Sequence, residues 1–212
     1  MIYVGLFEKS GVLAREFEAR GWRCICLDAG NDDRTEGNIL YARCDLSDTL
    51  DAEMMIDGFK GQSHDVGFLA AFPPCDHLAV SGARWFKGKG LRALQSSIAM
   101  FATAAELAAR YGAPYFIENP VSTISTYWRK PDASFHPFDY TAFALGDNYT
   151  KKTCIWTGNG FSMPPPRRVD VGKPDDRIHK APPGPGRKDF RNKTPLGFAR
   201  AVAIQVTEKE TA

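Results

Sequence analysis

The sequence predicts an α/β fold built on a doubly wound, mostly parallel sheet. Short continuous apolar runs recur at residues 2–7, 24–27, 66–71 and 115–117, the pattern of strands covered on both faces. Between them lie segments with apolar side chains at helical spacing, so strand and helix alternate. The polar residues Glu8, Asp28, Asp45, Cys75 and Glu118 each fall just after a strand run. In an open parallel sheet that is the rim where ligands collect.

The elements follow in order. After residues 2–7, Ser10 reads as a helix cap, Val12, Leu13 and Phe17 keep helical spacing, and Gly21 is the stop. The run at 24–27 ends in Asp28, and a polar loop rich in Asp, Asn and Gly leads to Cys44-Asp45-Leu46 and a short helix over about residues 47–59. The run at 66–71 is broken by Pro73-Pro74. A longer helix over about residues 91–111 places Leu94, Ile98, Phe101, Ala105 and Ala108 on one face and stops at Gly112. Residues 115–117 form a strand ending at Glu118-Asn119-Pro120, and residues 153–156 form another. Thr194-Pro195 then caps a closing amphipathic helix carrying Leu196, Phe198, Ala199, Val202 and Val206.

With 212 residues, 43% of them apolar, the chain suits one domain, residues 1–212, in which residues 160–193 form a basic loop rich in Pro and Gly. No stretch approaches the roughly 20 apolar residues of a membrane span, and the first residues read as a core strand rather than a leader, so a cytoplasmic location is expected. Five cysteines without a Cys-x-x-Cys pair point to reduced thiols. The cysteines and histidines show no paired ligand spacing for zinc. Charge is segregated: residues 1–80 hold 7 Lys/Arg against 14 Asp/Glu, whereas residues 81–212 hold 20 against 11. A polyanion would be drawn to the second part. Candidate phosphate contacts there are Arg84, Lys87, Lys89, Arg92, Arg167, Arg168, Arg187, Lys188 and Arg191, and Trp85 and Phe86 either stack on a base or pack their loop.

Two motifs carry chemistry. Pro73-Pro74 stiffens the turn after a strand and presents Cys75 at the rim. A thiol there becomes a nucleophile if its pKa is lowered, for which His77, Arg84 or a helix amino end are candidates; a buried structural cysteine is the alternative. Glu118, braced by Pro120, suits a group that donates a proton or hydrogen bond to a ring nitrogen; an ordinary loop acid is its alternative.

In this order, Pro73-Pro74-Cys75 and Glu118-Asn119-Pro120 resemble the Pro-Cys and Glu-Asn-Val motifs of the DNA cytosine carbon-5 methyltransferases. Glu8-Lys9-Ser10-Gly11, residues 73–86 and residues 151–156 are similar to the small phage and prophage proteins of that kind, over most of the chain. The resemblance implies a Rossmann-like, S-adenosylmethionine-dependent methyltransferase in which Cys75 adds to carbon 6 of cytosine and Glu118 engages ring nitrogen 3. It implies a cofactor lying across Phe7, Glu8, Ser10, Gly11, Asp28, Asp45 and Pro73, with Asp28 on the ribose hydroxyls and Glu8 a candidate for the amino group. Pro74, His77, Ser81, Arg84, Asn119, Pro120, Lys151, Lys152 and Thr153 would face the substrate, which is DNA or a cytidine nucleotide.

The chain departs from that family in three places. Its first loop reads Phe7-Glu8-Lys9-Ser10-Gly11 and keeps only the second glycine of Phe-x-Gly-x-Gly. Tyr149, Lys151 and Thr153 stand where the larger enzymes have Gln-x-Arg-x-Arg, and a lysine cannot reproduce an arginine's planar fork. Fewer than about forty residues separate Trp156 from Thr194, too few for a target-recognition domain, so little sequence specificity is expected. A free cytidine nucleotide, a donor with an altered methyl group, and a non-catalytic nucleic-acid-binding descendant stand as alternatives.

Overall fold

The apolar runs become central strands because both faces of the sheet are covered. The computed structural model of the protein describes residues 1–62, 64–182, 184 and 186–210, with side chains for all of these except 188, 189, 209 and 210. The chain runs β1 (Ile2–Leu6), α1 (Val12–Glu18), β2 (Arg23–Asp28), β3 (Arg34–Glu36), β4 (Ile39–Arg43), α2 (Leu50–Lys60) and β5 (Val66–Ala71). A 3-10 turn (Val80–Trp85) leads into α3 (Phe86–Tyr111), followed by β6 (Tyr115–Pro120), α4 (Ile124–Tyr127), β7 (Ala133–Phe135) and β8 (Thr153–Gly158). Two short helices, α5 (Arg177–Lys180) and α6 (Arg187–Asn192), precede the closing α7 (Leu196–Glu210).

Eight strands form one mixed, mostly parallel sheet in the order β3-β4-β2-β1-β5-β6-β8-β7. Strands β4, β2, β1, β5 and β6 are mutually parallel, whereas β3, β8 and β7 each pair antiparallel with their neighbours. Chain order reverses between β1 and β5, the kind of switch point at which open α/β sheets bind ligands outside the carboxyl ends of their strands.

Alternate residues of the central strands enter two cores. Ile2, Val4, Leu6, Leu69 and Ile117 pack with Ala52 and Ile56 of α2 and with Phe101, Ala104 and Leu107 of α3. Tyr3, Phe68, Phe116 and Ile155 pack with Phe17 of α1 and with Phe198 and Val202 of α7. Rings stitch the second core together: Tyr3 stacks on Phe17 at 4.7 Å, Phe17 on Phe68 at 5.5 Å, and Phe198 on Phe135 at 4.2 Å. Each fully buried ring of this kind contributes about 1.5–3 kcal/mol through removal from water, so the aromatic layer fixes α1 and α7 against the sheet.

Three segments differ from expectation. The polar loop after Asp28 contains the β3–β4 hairpin. Its β3 residues are all exposed and carry no apolar signal, while β4 buries only Ile39, Tyr41 and Ala42. Gly11, not Ser10, sits at the start of α1, in a left-handed conformation with φ 61°. Residues 160–193 are not merely a loop: besides α5 and α6, the segment is hydrogen-bonded to residues 139–150. Arg167 N–H donates to the Asp139 carbonyl at 2.9 Å, Tyr140 Oη to the Pro164 carbonyl at 2.8 Å, and Thr150 N–H to the Asp175 carbonyl at 2.8 Å.

Candidate active site and nucleotide rim

The turn after β5 is built to hold Cys75. Pro73 is buried, Cys75 is half-buried, and the Cys75 carbonyl accepts from the N–H groups of Leu78 (3.0 Å) and Ala79 (2.8 Å). The turn after β6 is laced to it. Asn119 Nδ2 donates to the Pro73 carbonyl at 3.0 Å in a fully buried contact. Val80 N–H donates to the Val121 carbonyl, and Thr123 N–H to the Leu78 carbonyl, both at 2.9 Å. Asn119 therefore bonds the protein's own backbone, and this clamp brings Cys75 and Glu118 into one electrostatic neighbourhood. Asn119 Oδ1 and Glu118 Oε1 are buried without a protein partner. A donor N–H group could satisfy either oxygen.

Burial pushes the Cys75 thiol up to about 11, with the Glu118 and Asp76 charges adding to the rise and Lys151 opposing it. This corrects the expectation that His77 or Arg84 lowers the thiol: Arg84 is exposed and lies over its neighbour Trp85 at 5.0 Å, and His77 Nδ1 is buried without a partner. Glu118 is likewise raised by burial and lowered by Lys151. Lys151 is thus a cation shared by both groups. It approaches from the residues leading into β8, half-buried, with Nζ 3.4 Å from the Lys193 carbonyl.

The remaining substrate-side expectations separate. Pro74 and Pro120 are half-buried on the two turns, and Ser81 is exposed on the 3-10 turn. Thr153 is buried and its hydroxyl donates to the Lys151 carbonyl at 3.2 Å, so it shapes the backbone beneath Lys151 instead of facing a ligand. Lys152 is exposed on the other side of the strand entry. Trp85 is 60% and Leu91 84% exposed. They flank a break in α3 at Gly90, whose φ of 78° interrupts the helix. Arg84, Lys87, Lys89 and Arg92 are all exposed on this arm, with Lys89 Nζ on the Asp76 carbonyl at 2.6 Å; the side chain of Lys188 lies outside the described residues.

On the neighbouring rim, Phe7 adopts φ 56°, a left-handed conformation rare for a bulky residue. It turns the chain sharply out of β1. Gly11 completes the loop: a Cβ there would lie 2.0 Å from Tyr41 Oη, so only glycine lets α1 start this close to β4. Glu8 departs from expectation. It is 2% exposed, accepts from Tyr3 Oη at 2.6 Å and from the N–H groups of Leu13 (3.1 Å) and Ala14 (3.4 Å), and so satisfies the amino end of α1. Both its carboxyl oxygens are engaged in these contacts. Asp28 Oδ1 accepts from Gly30 N–H at 2.7 Å, while its other oxygen shows no hydrogen bond among the described residues. Asp45 is exposed, with Oδ1 on Ser47 N–H at 2.9 Å, and Ser10 is exposed at the loop's tip. Among the described residues no group of three or more His, Cys, Asp or Glu gathers as a metal site, and no helix is long and apolar enough to cross a membrane.

Comparison with solved structures sets this fold beside a crystal structure provisionally assigned as a DNA modification methyltransferase encoded within a prophage of E. coli. The TM-score is 0.55 at 13% identity, over 82% of this chain and 53% of that one. That likeness shows the fold. The chain spans about half the length of that protein. A mutant short-chain dehydrogenase/reductase from Serratia marcescens aligns at a TM-score of 0.39 and 14% identity, over 53% of this chain and 52% of that one, too weakly to bear on fold or function. No family model and no curated protein matches the sequence.

Proposed function

We propose that the protein is a methyltransferase that modifies carbon 5 of cytosine in DNA, with Cys75 as nucleophile, Glu118 as proton donor and S-adenosylmethionine as cofactor. The observation that carries this reading is the clamp: Asn119 and the paired backbones of residues 78–80 and 121–123 hold a thiol and a buried carboxyl together at the rim.

In the proposed reaction the Cys75 thiolate forms a bond from Sγ to carbon 6, while Glu118 gives its proton to ring nitrogen 3. The electron pair of the 5,6 double bond then becomes nucleophilic at carbon 5. S-adenosylmethionine, when bound, supplies the methyl group. Loss of the carbon-5 proton to solvent restores the double bond and expels the Cys75 sulfur as thiolate, and nitrogen 3 returns its proton to Glu118. Burial favours protonated Glu118, as a proton donor requires. The rim fits the cofactor unevenly: the free oxygen of Asp28 suits a ribose hydroxyl, whereas Glu8 is committed to α1. We assign Asp28 and the loop backbone, not the Glu8 carboxyl, to that contact.

The test is incubation with isotopically labelled S-adenosylmethionine and either DNA or deoxycytidylate, followed by intact mass of the digested nucleosides. We expect 5-methylcytosine from DNA, abolished by Cys75→Ala. Label confined to the mononucleotide would overturn the DNA substrate, an altered added mass would overturn the methyl donor, and transfer that survives Cys75→Ala would overturn the mechanism.

A further inference from the structure

The segment that follows the Cys75 turn stands outside both cores. From Val80 to Ala93 no residue is buried and none packs in either apolar cluster. Three of these residues, Val80, Trp85 and Leu91, are nevertheless large, apolar and exposed. Val121, whose carbonyl receives the Val80 N–H at 2.9 Å, adds exposed apolar surface beside the first of them. The two neighbouring aromatic residues separate: Phe86 is half-buried, whereas Trp85 turns to solvent, and its one ring interaction among the described residues is with the Arg84 guanidinium at 5.0 Å. Apolar surface left open in this way marks a place where a partner removes it from water.

The charge on the same segment says what kind of partner. Residues 77–105 contain no Asp or Glu, but they contain Arg84, Lys87, Lys89 and Arg92. All four cations are exposed, and none makes an ion pair among the described residues. Lys89 Nζ reaches the Asp76 carbonyl at 2.6 Å, which ties the segment to the residue after Cys75. Gly90, with φ 78°, separates the turn at 86–89 from the rest of α3. Unpaired cations around an exposed indole match a single nucleic-acid strand, whose phosphates meet the cations and whose unpaired bases offer the ring a free face. A duplex offers the phosphates but keeps its base faces stacked.

We propose that the arm from Val80 to Arg92 is a docking surface for single-stranded DNA. Trp85 stacks on a base of the strand that carries the target cytosine, and Arg84, Lys87 and Arg92 contact its phosphates. Lys89 is a positioning residue that holds the arm against the Cys75 turn. The proposal rests on the cytosine reading above and deepens it by naming a single strand as the substrate. An unpaired cytosine also reaches Cys75 without first being extruded from a helix.

Binding tests the surface without requiring turnover. A labelled oligonucleotide containing cytosine, single-stranded or annealed to its complement, would be titrated by anisotropy into the wild type, Trp85→Leu, Trp85→Phe and Lys87→Gln/Arg92→Gln at several salt concentrations. All three positions are exposed, and circular dichroism confirms that each variant folds. The wild type should prefer the single strand at least about tenfold, Trp85→Leu should lose about tenfold for the single strand and little for the duplex, and Trp85→Phe should recover most of the loss because its ring also stacks. At about 0.7 for each phosphate contact, the double variant should lower the slope of log affinity against log salt by about 1.4. Equal or tighter binding of the duplex overturns the proposal, as does single-strand binding that Trp85→Leu leaves unchanged, an unchanged salt slope in the double variant, or no single-strand binding by the wild type. Self-association of the wild type that Trp85→Leu disperses, without DNA binding, also overturns it and makes the face an interface between copies. Methyl transfer measured in parallel keeps the two readings apart. Single-strand binding through Trp85 without 5-methylcytosine sinks the cytosine chemistry alone, and 5-methylcytosine formed while Trp85→Leu binds normally sinks the docking surface alone.

Discussion

The titration of Cys75 tests the site most directly. A thiol raised from 9.0 to about 11 has roughly one hundredth of the ordinary thiolate fraction near pH 8. Its thiolate is more nucleophilic in compensation: with a Brønsted coefficient of about 0.4–0.5, two pKa units return a factor of roughly eight. The net expectation is reaction with a disulfide reagent about tenfold slower than that of an unperturbed, equally accessible thiol at pH 8, with a rate that climbs nearly tenfold per pH unit up to about pH 10. Dithiodipyridine absorbance, with peptide mapping, reads Cys75 alone, because Cys24, Cys26, Cys44 and Cys154 are buried. Above the pH at which the raised Glu118 ionises, Glu118→Gln should speed the reaction by removing a charge that opposes the thiolate. Lys151→Gln should slow it. A plateau in rate below pH 9, or no response to either substitution, would refute the electrostatic account of the pair.

Two further predictions concern the scaffold. Asn119→Ala leaves the buried Pro73 carbonyl without its donor, an expected loss of about 1–3 kcal/mol in urea unfolding, and loosening of the clamp should lower transfer by more than substrate affinity; unchanged stability would show that the hydrogen bond does not brace the turn. Glu8, raised by burial against the lowering effect of its hydrogen bonds, makes stability depend on pH. A folded pKa above the unfolded one contributes stability that is complete below the unfolded value of about 4.5 and is lost as pH rises through the folded value. The urea midpoint should therefore fall with rising pH over that interval, and Glu8→Gln, which keeps one acceptor oxygen for the α1 N–H groups, should flatten the fall; an unchanged profile contradicts the assignment.

Much of the central sheet was legible because burial on both faces leaves an unmistakable trace. Residues 66–71 read as a strand and all six residues of β5 are buried. The β3–β4 hairpin was illegible for the converse reason: β3 is an exposed edge strand whose Arg34, Thr35 and Glu36 resemble any polar loop. Cys75 and Glu118 could be picked out because proline marks both turns. Their coupling to Lys151, the spending of Glu8 on α1 and the bond from Asn119 to Pro73 depend on contacts between residues far apart in sequence, which no local pattern encodes. The same holds for Arg168, whose ion pair with Asp139 forms only when residues 160–193 dock on residues 139–150.

One physical cause biases both reactive groups in the same direction. Burial raises Cys75 and Glu118 alike, so the clamped turns favour a neutral thiol beside a protonated carboxyl. This suits the proton-donor role proposed for Glu118, and it restrains Cys75 from reacting with adventitious electrophiles. On the proposed reaction the base itself resolves the difference. As nitrogen 3 takes the Glu118 proton, positive charge develops on the ring facing the sulfur, and Lys151 adds to it; the thiolate is then stabilised only where a cytosine is present. On that proposed reaction Lys151 couples substrate binding to nucleophile activation. Replacing it should reduce the rate of adduct formation more than the affinity for DNA.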